Sequence, residues 1–408
     1  MKLRFNEERA VQLFTILQDL WNKKSDVFEG VKLPQDRWPI PDDPKEAANY
    51  FAYAAITQRG GVVSEDPFKW VNHLRGIHPS LFHPHSVVRD WTREEIMKVI
   101  YRAVTDRNGW HPQPHQFHLF DLHPKQDNEE RLQQIVDGDI DNEGLYKLDE
   151  FAGSWFNNSL TLVKRFDGDA LNIFAGARNF EEAFVRIDYK NKSNIDLGLS
   201  TFSGMRRKIF SLFTIWLQEK GLVPAFPTPI PVDFHAMRLL FACRVAEPIE
   251  PEPFTITPDV HPEHFQGRPM LRVSEDVTDE IALWSQSFMQ QHGFSHMAIN
   301  PSLWVLSREL CPHEFQNQGS GRGRLGPRRS LRVTYPETLK AHPEKWPVPY
   351  ADPSKICPVA RLCELAIPNA PYYSFGILAL LERLAYPHKT LPGFDRTVNL
   401  SRRKNIRN

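Results

Sequence analysis

The sequence predicts a mainly α-helical protein, and three observations support this fold class. Apolar residues recur at i, i+3 and i+4 intervals over several long segments, which is the spacing of one helix face. Strand candidates are few and short, namely 184–187 (FVRI) and 254–257 (FTIT). The 33 prolines break the chain into helices joined by long connections. The predicted helices span 7–22, 45–58, 93–104, 205–220, 234–246, 277–291 and 375–386.

Capping residues support several of these helix starts. Asp90 or Thr92 precedes the sequence REEI, and Thr278 precedes DEIALW, each followed by acidic residues in the first turn. Asp233 follows a proline-rich turn and precedes FHAMRLLFACRV, which has its own apolar stripe. Asp, Thr and Ser are preferred at the N-cap because their side-chain oxygens accept the first backbone N–H groups of the helix.

Composition limits the class of protein. The chain has 408 residues, with 50 basic and 50 acidic side chains, so a nucleic-acid partner must be argued from local patches. No apolar run approaches the roughly 20 residues of a membrane span. The first residues lack the pattern of a signal peptide, and four cysteines are too few for a disulfide scaffold. We therefore expect a cytoplasmic enzyme with no membrane partner.

The stretch 202–235 combines a lysine, two arginines and an aspartate around two helix starts. Gly204 precedes the first predicted helix, and Arg206 and Arg207 lie in its first turn, where positive side chains oppose the helix dipole. A bound anion would reverse that penalty, because the free N–H groups of a helix start attract phosphate. Lys208 lies at the edge of the apolar face of the same helix.

This stretch resembles the helix-hairpin-helix DNA glycosylases. Their "G-x-G-x-K" hairpin leads into a helix, and a later "P-V-D-x-H-x-x-R" places an aspartate at the next helix start. Arg206 stands where the second hairpin glycine is expected, and the interval from Lys208 to Asp233 is several residues longer than in the family. The resemblance covers about residues 150–247 and extends to the queuosine-type nucleosidases. The matching residues are Gly204, Lys208, Pro231, Val232, Asp233, His235 and Arg238.

The resemblance implies roles for these residues. N-glycosidic cleavage passes through an oxocarbenium-like sugar, which Asp233 would stabilise, unless it activates the attacking water. Lys208 would attack C1′ as a Schiff-base nucleophile and give lyase activity, once desolvation or a neighbouring arginine had lowered its pKa. His235 and Arg238 would support the aspartate. The ordinary alternatives are a simple helix cap for Asp233 and an extended surface side chain for Lys208.

The same reading divides the chain into three predicted parts. Residues 1–150 form an N-terminal helical region that contributes to base recognition. Residues 151–300 form a helix-hairpin-helix glycosylase-like core. Residues 301–408 form a C-terminal region in which an arginine-rich loop and a cysteine pair pack on the core.

An arginine-rich segment, 319–332 (GSGRGRLGPRRSLR), is a candidate for DNA contact. Arginines on a flexible glycine backbone reach several phosphates and become ordered on a polyanion. The alternative is a solvated loop without a partner. The predicted DNA-contacting residues are Gly204, Arg206, Arg207, Arg322, Arg324, Arg328 and Arg329.

A second candidate region, 73–123, is rich in histidine, proline and aromatic residues. Its HPQPHQFHLF run lacks the spacing of a helical metal site, so we interpret it as base recognition. Trp110, Phe117 and His118 would stack on or hydrogen-bond to an extruded base. The alternative is a proline-rich surface excursion that packs its aromatic rings on the core.

The cysteines raise the question of a metal. Cys357 and Cys363 have the spacing of the last pair in the iron–sulfur motif that many glycosylases of this superfamily carry, but the other cysteines do not follow it. Zinc held by Cys311, His313, Cys357 and Cys363 is the other candidate. The alternative is that these cysteines are simply buried. The predicted chemistry requires no cofactor.

The sequence therefore predicts an N-glycosylase that flips a modified base out of double-stranded DNA and leaves an abasic site. The large N-terminal region suits a bulky base, such as the glucosylated hydroxymethylcytosine of phage DNA, and hence a setting in antiviral defence. Two alternatives remain. One is a queuosine-type nucleoside or nucleotide N-glycosidase, and the other is a non-catalytic nucleic-acid-binding protein.

Overall fold

The structure is a computed structural model, and it is mainly helical, as predicted. It describes residues 2–25, 28–58, 65–105, 128–137, 148–250, 270–272 and 275–307, with short pieces at 314–315, 331–332, 358–359, 361–362, 372–373 and 377–379. The described chain divides into two compact units. Unit 2 comprises residues between Lys32 and Pro231, and unit 1 comprises residues up to Val31 together with those from Val232 onward. Unit 2 is thus inserted within the sequence of unit 1.

Unit 2 is built from helices around an aromatic core. Helices α4 (Pro84–Asp90) and α5 (Arg93–Thr105) pack on α7 (Leu148–Phe166), and α2 (Pro44–Ile56) packs on α10 (Arg207–Glu219). Helix α2 is buried over almost its whole length, which follows from its alanine-rich and aromatic sequence PKEAANYFAYAAI. The bounds are α2 Pro44–Ile56, α3 Glu65–Ile77, α4 Pro84–Asp90, α5 Arg93–Thr105, α6 Asn128–Asp137, α7 Leu148–Phe166, α8 Phe180–Ile187, α9 Lys192–Asp196 and α10 Arg207–Glu219, with 3-10 turns at Pro34–Asp36, Pro79–Phe82 and Ala170–Ile173.

Trp155 lies at the centre of the unit 2 core. Its ring stacks on Tyr53, with centroids 4.4 Å apart and an angle of 12° between the planes. The indole Nε1–H donates to the carbonyl of Leu81 at 2.9 Å, and the hydroxyl of Tyr53 is 2.7 Å from Ser159 Oγ. Burial raises the pKa of Tyr53 more than the Ser159 hydrogen bond lowers it. The polar atoms of Trp155 and Tyr53 therefore have hydrogen-bond partners within the core.

Unit 1 joins an N-terminal segment to later parts of the chain. Strand β1 (Lys2–Phe5) pairs antiparallel with β2 (Ala246–Glu250), and α13 (His296–Val305) packs against both α1 (Glu7–Lys23) and α11 (Phe234–Ala242). Short antiparallel pairs also join β3 to β7 and β4 to β5 to β6. The bounds are β1 Lys2–Phe5, α1 Glu7–Lys23, α11 Phe234–Ala242, β2 Ala246–Glu250, β3 Met270–Arg272, α12 Glu275–His292, α13 His296–Val305, β4 Glu314–Phe315, β5 Leu331–Arg332, β6 Tyr372–Tyr373 and β7 Ile377–Ala379.

The predicted helix starts are partly confirmed. Thr92 and Glu95 form a reciprocal cap, because Thr92 Oγ1 accepts from the Glu95 N–H while Glu95 Oε2 accepts from the Thr92 N–H. Thr278 does not begin its helix, since α12 begins three residues earlier, at Glu275. The segment 184–187, predicted as a strand candidate, is instead the end of α8, which begins after the capping residue Asn179.

Two predictions fall in the C-terminal part of the chain. Residues 377–379 form strand β7, so the predicted helix over 375–386 is wrong there; the strand forms because β3 provides its hydrogen-bonding partner. The other strand candidate, 254–257, lies outside the described residues. The domain boundaries at 150 and 300 stay a prediction.

Candidate functional site

The predicted catalytic aspartate, Asp233, is the N-cap of α11. Its backbone is extended, with φ −121° and ψ −175°, and its Oδ1 accepts from the N–H groups of His235 at 2.8 Å and Ala236 at 2.9 Å. The side chain is half-buried. Hydrogen bonds from backbone N–H groups stabilise the negative charge of a carboxylate and fix its orientation. The structure thus confirms the predicted cap and provides a rigid, partly exposed carboxylate.

His235 anchors the first turn of α11 within unit 1. Its side chain is only 5% exposed, and its Nδ1 lies 3.1 Å from the hydroxyl oxygen of Ser307, which is fully buried. The imidazole also meets the ring of Trp304 edge-on, with centroids 6.2 Å apart. Because Asp233 bonds to the backbone N–H of His235, these contacts also hold the carboxylate in place.

Lys208 is the second residue of α10 and lies in unit 2, whereas Asp233 lies in unit 1. Lys208 is half-buried, and its neighbour Phe210 is part of the aromatic core. The helix begins at Arg207, two residues later than predicted, and Arg206 provides no side-chain cap. The N-cap and the first turn of α10 together hold three consecutive basic residues, Arg206 to Lys208, and the first turn contains no acidic residue.

Gly204 forms a tight turn before α10. Its φ of +72° is in the left-handed region that favours glycine, and it is exposed. Asn158 holds the turn by two hydrogen bonds to Ser203, since its Nδ2 donates to the carbonyl at 3.0 Å and its Oδ1 accepts from the N–H at 2.7 Å. A Cβ at position 204 would lie 4.0 Å from its nearest neighbouring atom, Ser154 Oγ, so the backbone conformation, and not a lack of space, requires the glycine.

The two arginines at this helix start have partners within unit 2. Arg207, whose side chain is 13% exposed, forms a bidentate ion pair with Glu181. Its guanidinium also lies over the ring of Phe184, 4.7 Å from the ring centroid. Arg206 is exposed, donates to the hydroxyl of Tyr189 and lies 5.3 Å from that ring's centroid. A phosphate bound by Arg207 would have to compete with Glu181.

Many of the predicted site residues lie outside the described part of the chain. Arg238 belongs to α11, and the structure describes its backbone only. Residues outside the described ranges are Trp110, Phe117 and His118, proposed for base recognition; Arg322, Arg324, Arg328 and Arg329, proposed for DNA contact; and Cys311, His313, Cys357 and Cys363, proposed for a metal.

The residues that the structure describes lack two features. They contain no group of three or more His, Cys, Asp or Glu side chains placed to hold a metal ion. None of the helices in these residues has the length and apolar character needed to cross a membrane. Cys243, at the end of α11, is a buried free thiol.

Sequence reasoning missed an ionic cluster in unit 1. The buried side chain of Glu247 bonds to Arg4 through Oε2 and to Arg244 through Oε1. Burial on its own would raise the pKa of Glu247, but the hydrogen bonds from Arg4 and Arg244 outweigh it and lower the pKa. Arg4 and Glu247 are 243 positions apart, so no local sequence pattern could have found the pair.

The cluster lines an open cleft of about 450 Å³, which the sequence did not predict either. Seven residues line it, and three of them are arginines: Arg4, Phe5, Asn6, Glu7, Arg9, Arg244 and Glu247. The cleft and Asp233 belong to the same unit.

Comparisons of the chain with protein-family models, with curated proteins and with solved structures found no match.

Proposed function

We propose that the protein is an N-glycosylase that excises a modified base from double-stranded DNA. The observation that carries this proposal is Asp233, a carboxylate held by two backbone N–H groups at the start of a helix that the buried His235 anchors. Such a carboxylate suits a reaction in which positive charge develops on a sugar. A helical fold of the helix-hairpin-helix glycosylase type is part of the proposal.

The reaction breaks the bond between C1′ and the base nitrogen. The bonding electrons leave with the base, which takes up a proton, and the sugar passes through an oxocarbenium-like state. The positive charge on the sugar is greatest in this oxocarbenium-like transition state, so the Asp233 carboxylate stabilises the transition state more than the bound substrate. The activation barrier is lowered as a result. Water then adds to C1′, with Asp233 placed to orient it and to accept its proton.

Lys208 would extend this reaction to a lyase. Its amine would replace water at C1′ and form a Schiff base, after which the strand can be cleaved. Lys208 is half-buried on α10 in unit 2, whereas the capping Asp233 belongs to unit 1. Lyase activity is therefore a separate and testable part of the proposal.

DNA is favoured over a small nucleoside by the basic segments of the chain. The segment 319–332 contains five arginines and no acidic residue, and the exposed turn at Gly204 precedes a helix start with three basic residues. Both features suit contacts to several phosphates. We further propose a bulky, phage-type base as the substrate and a role in antiviral defence.

The test is mass spectrometry of bases released from unmodified, damaged and phage-modified DNA, with queuosine nucleotides alongside. Asp233→Asn keeps the helix cap, because Asn caps as well as Asp, but removes the charge. We expect base release to fall at least about 100-fold, the usual effect of removing one electrostatic group from a transition state. Asp43→Asn is the matched control, since Asp43 caps α2 through the Glu46 N–H, and should retain full activity.

The outcomes separate the alternatives. Release from nucleotides alone would indicate a queuosine-type nucleosidase, and no release from any substrate would contradict the proposal in favour of a binding protein. Borohydride trapping tests the lyase step: wild type should form a covalent DNA adduct, and Lys208→Ala should not. An adduct that persists in Lys208→Ala would exclude this lysine as the nucleophile.

A further inference from the structure

We infer that the arginine-lined cleft of unit 1 binds a phosphate group of the nucleic acid, at a distance from the reacting sugar. The inference rests on the proposed function only for the source of the phosphate. Its physical basis is the arrangement of three arginines, Arg4, Arg9 and Arg244, around one open cleft.

The buried carboxylate of Glu247 fixes two of these arginines. Arg4 and Glu247 face each other across the β1–β2 pair, and Arg4 donates through Nε at 3.1 Å and through Nη2. Arg244 donates through Nε at 2.7 Å to the other oxygen. The side chains of Arg4 and Arg244 are nevertheless 64% and 38% exposed. Each guanidinium has five N–H donors in a rigid fork, so both can bind an anion while held by Glu247.

The backbone at Arg244 is unusual for an arginine. Helix α11 ends with two backbone bonds, from the Arg244 N–H to the Phe241 carbonyl and from the Val245 N–H to the Leu240 carbonyl. In this type of helix end the residue at Arg244 is left-handed, here with φ +57°, and it is usually glycine. A strained arginine at a glycine position indicates that its side chain contributes something a glycine does not.

Arg9 completes the cleft from helix α1. Its side chain is half-buried, and its guanidinium makes no hydrogen bond or ion pair with any residue that the structure describes. Three arginines against two glutamates leave the lining with one net positive charge, and both oxygens of Glu247 are already engaged. An anion with several oxygens is therefore the complementary ligand, and phosphate matches the guanidinium fork.

The position of the cleft favours a polynucleotide over a mononucleotide. Asp233 begins α11 and Arg244 follows its end, and a helix of nine residues is about 14 Å long. Only one sugar separates C1′ from its own 5′-phosphate, which is a much shorter distance. A DNA strand advances about 3.4 Å per base pair, so a phosphate roughly four base pairs away would reach the cleft. The cleft would thus set the register of the DNA relative to Asp233.

The test compares Arg9→Ala with Lys23→Ala by fluorescence anisotropy of a labelled DNA duplex over a series of salt concentrations. Both residues lie on α1, both changes remove one positive charge, and Lys23 is at the far end of the helix. Losing one phosphate contact should weaken binding roughly three- to tenfold and reduce the slope of log K against log salt by about 0.9. We expect this change for Arg9→Ala and wild-type behaviour for Lys23→Ala.

Arg244→Gly is the second variant, because glycine suits the left-handed position and should preserve the helix end. It should reduce the salt slope to a similar extent without loss of helical signal in circular dichroism. Wild-type slopes in both Arg9→Ala and Arg244→Gly, or wild-type protein that binds neither DNA nor adenosine monophosphate, would overturn the inference. If the two variants lost binding of adenosine monophosphate while their DNA binding stayed as in wild type, the assignment to a polynucleotide would be overturned.

The inference and the proposed function fail in different ways. DNA binding that depends on Arg9, in a protein that releases no base, would retain the phosphate site and contradict the glycosylase. A protein that releases base, and whose DNA binding is unaffected by Arg9→Ala and Arg244→Gly, would retain the glycosylase and contradict the phosphate site.

Discussion

The two units of the protein differ in what their interiors contain. The core of unit 2 is a continuous cluster of aromatic and aliphatic side chains centred on Trp155 and Tyr53. Unit 1 also has an apolar core, but it encloses histidines and a carboxylate. Among the histidines that the structure describes, the two buried ones, His235 and His296, both belong to unit 1. The buried carboxylate of Glu247 lies there too.

This difference separates two ways of stabilising a helical unit. Aromatic burial depends little on pH, whereas buried histidines must stay neutral and buried carboxylates must stay paired. We therefore expect acid to weaken unit 1 before unit 2. The candidate aspartate and the arginine-lined cleft both lie in the unit whose stability depends on charge.

The largest expected effect is in the aromatic core. Trp155→Ala removes a fully buried ring, its stack on Tyr53 and its hydrogen bond to Leu81. We expect a loss of about 4 kcal/mol in the free energy of unfolding, because large-to-small changes lose burial and leave a cavity. Hydrogen exchange by mass spectrometry should show faster exchange in α2 and α7. Trp155→Phe is the milder control; equal acceleration in α1 and α11 would show that the units do not respond separately.

The second effect tests the acid sensitivity of unit 1. Burial lowers the pKa of His296 from its ordinary value of 6.5 to about 4. Between these values the unfolded chain binds more protons than the folded one, so this stabilisation is fully present above pH 6.5 and is lost as the pH falls toward 4. The loss is on the order of 3 kcal/mol. Denaturation at several pH values should show it in wild type and not in His296→Gln; identical pH profiles would contradict the prediction.

A smaller effect is expected where His235 anchors α11. His235→Ala removes a buried side chain and its contact with Ser307, which should cost about 2 kcal/mol. His235→Asn keeps a hydrogen-bonding atom near the position of Nδ1 and should cost less. If His235 positions Asp233, kcat for base release should fall in His235→Ala with little change in KM and recover partly in His235→Asn. Unchanged kcat in both variants would limit His235 to a structural role.

The smallest effect separates capping from catalysis at Asp233. Asp233→Ala should lower the free energy of unfolding by about 1 kcal/mol, because two N–H groups of α11 lose their acceptor. Asp233→Asn should leave stability nearly unchanged, and thermal denaturation of both variants measures the difference. An Asn variant as unstable as the Ala variant would show that the charge, and not the cap geometry, stabilises α11.

Local patterns predicted much of the fold. The helix predicted over 7–22 is observed at Glu7–Lys23, and the one over 93–104 at Arg93–Thr105, because apolar spacing and caps are encoded within one segment. The strand candidate at 184–187 belongs to a helix, because the strand-favouring residues at these four positions do not outweigh the helix signals of the eight-residue segment that contains them. The capping Asn179 and an acidic first turn signalled that helix.

Long-range pairs could not be predicted in this way. The Asp233 cap was predicted because its partners are two and three residues away. The partner of His235 is 72 positions away, and that of Arg4 is 243 positions away. Such contacts depend on how the units are assembled, and periodicity within a segment contains no information about them.

The insertion of unit 2 within unit 1 has a consequence for the order of folding. Residues Lys32–Pro231 leave the ribosome as one continuous stretch, whereas β1 must wait for β2 to be synthesised before it can pair. Closing a loop over such a separation carries a large entropic cost, which a folded insert reduces by holding the loop ends in a smaller volume. We therefore expect unit 2 to fold during synthesis and unit 1, with the candidate site, to be completed last.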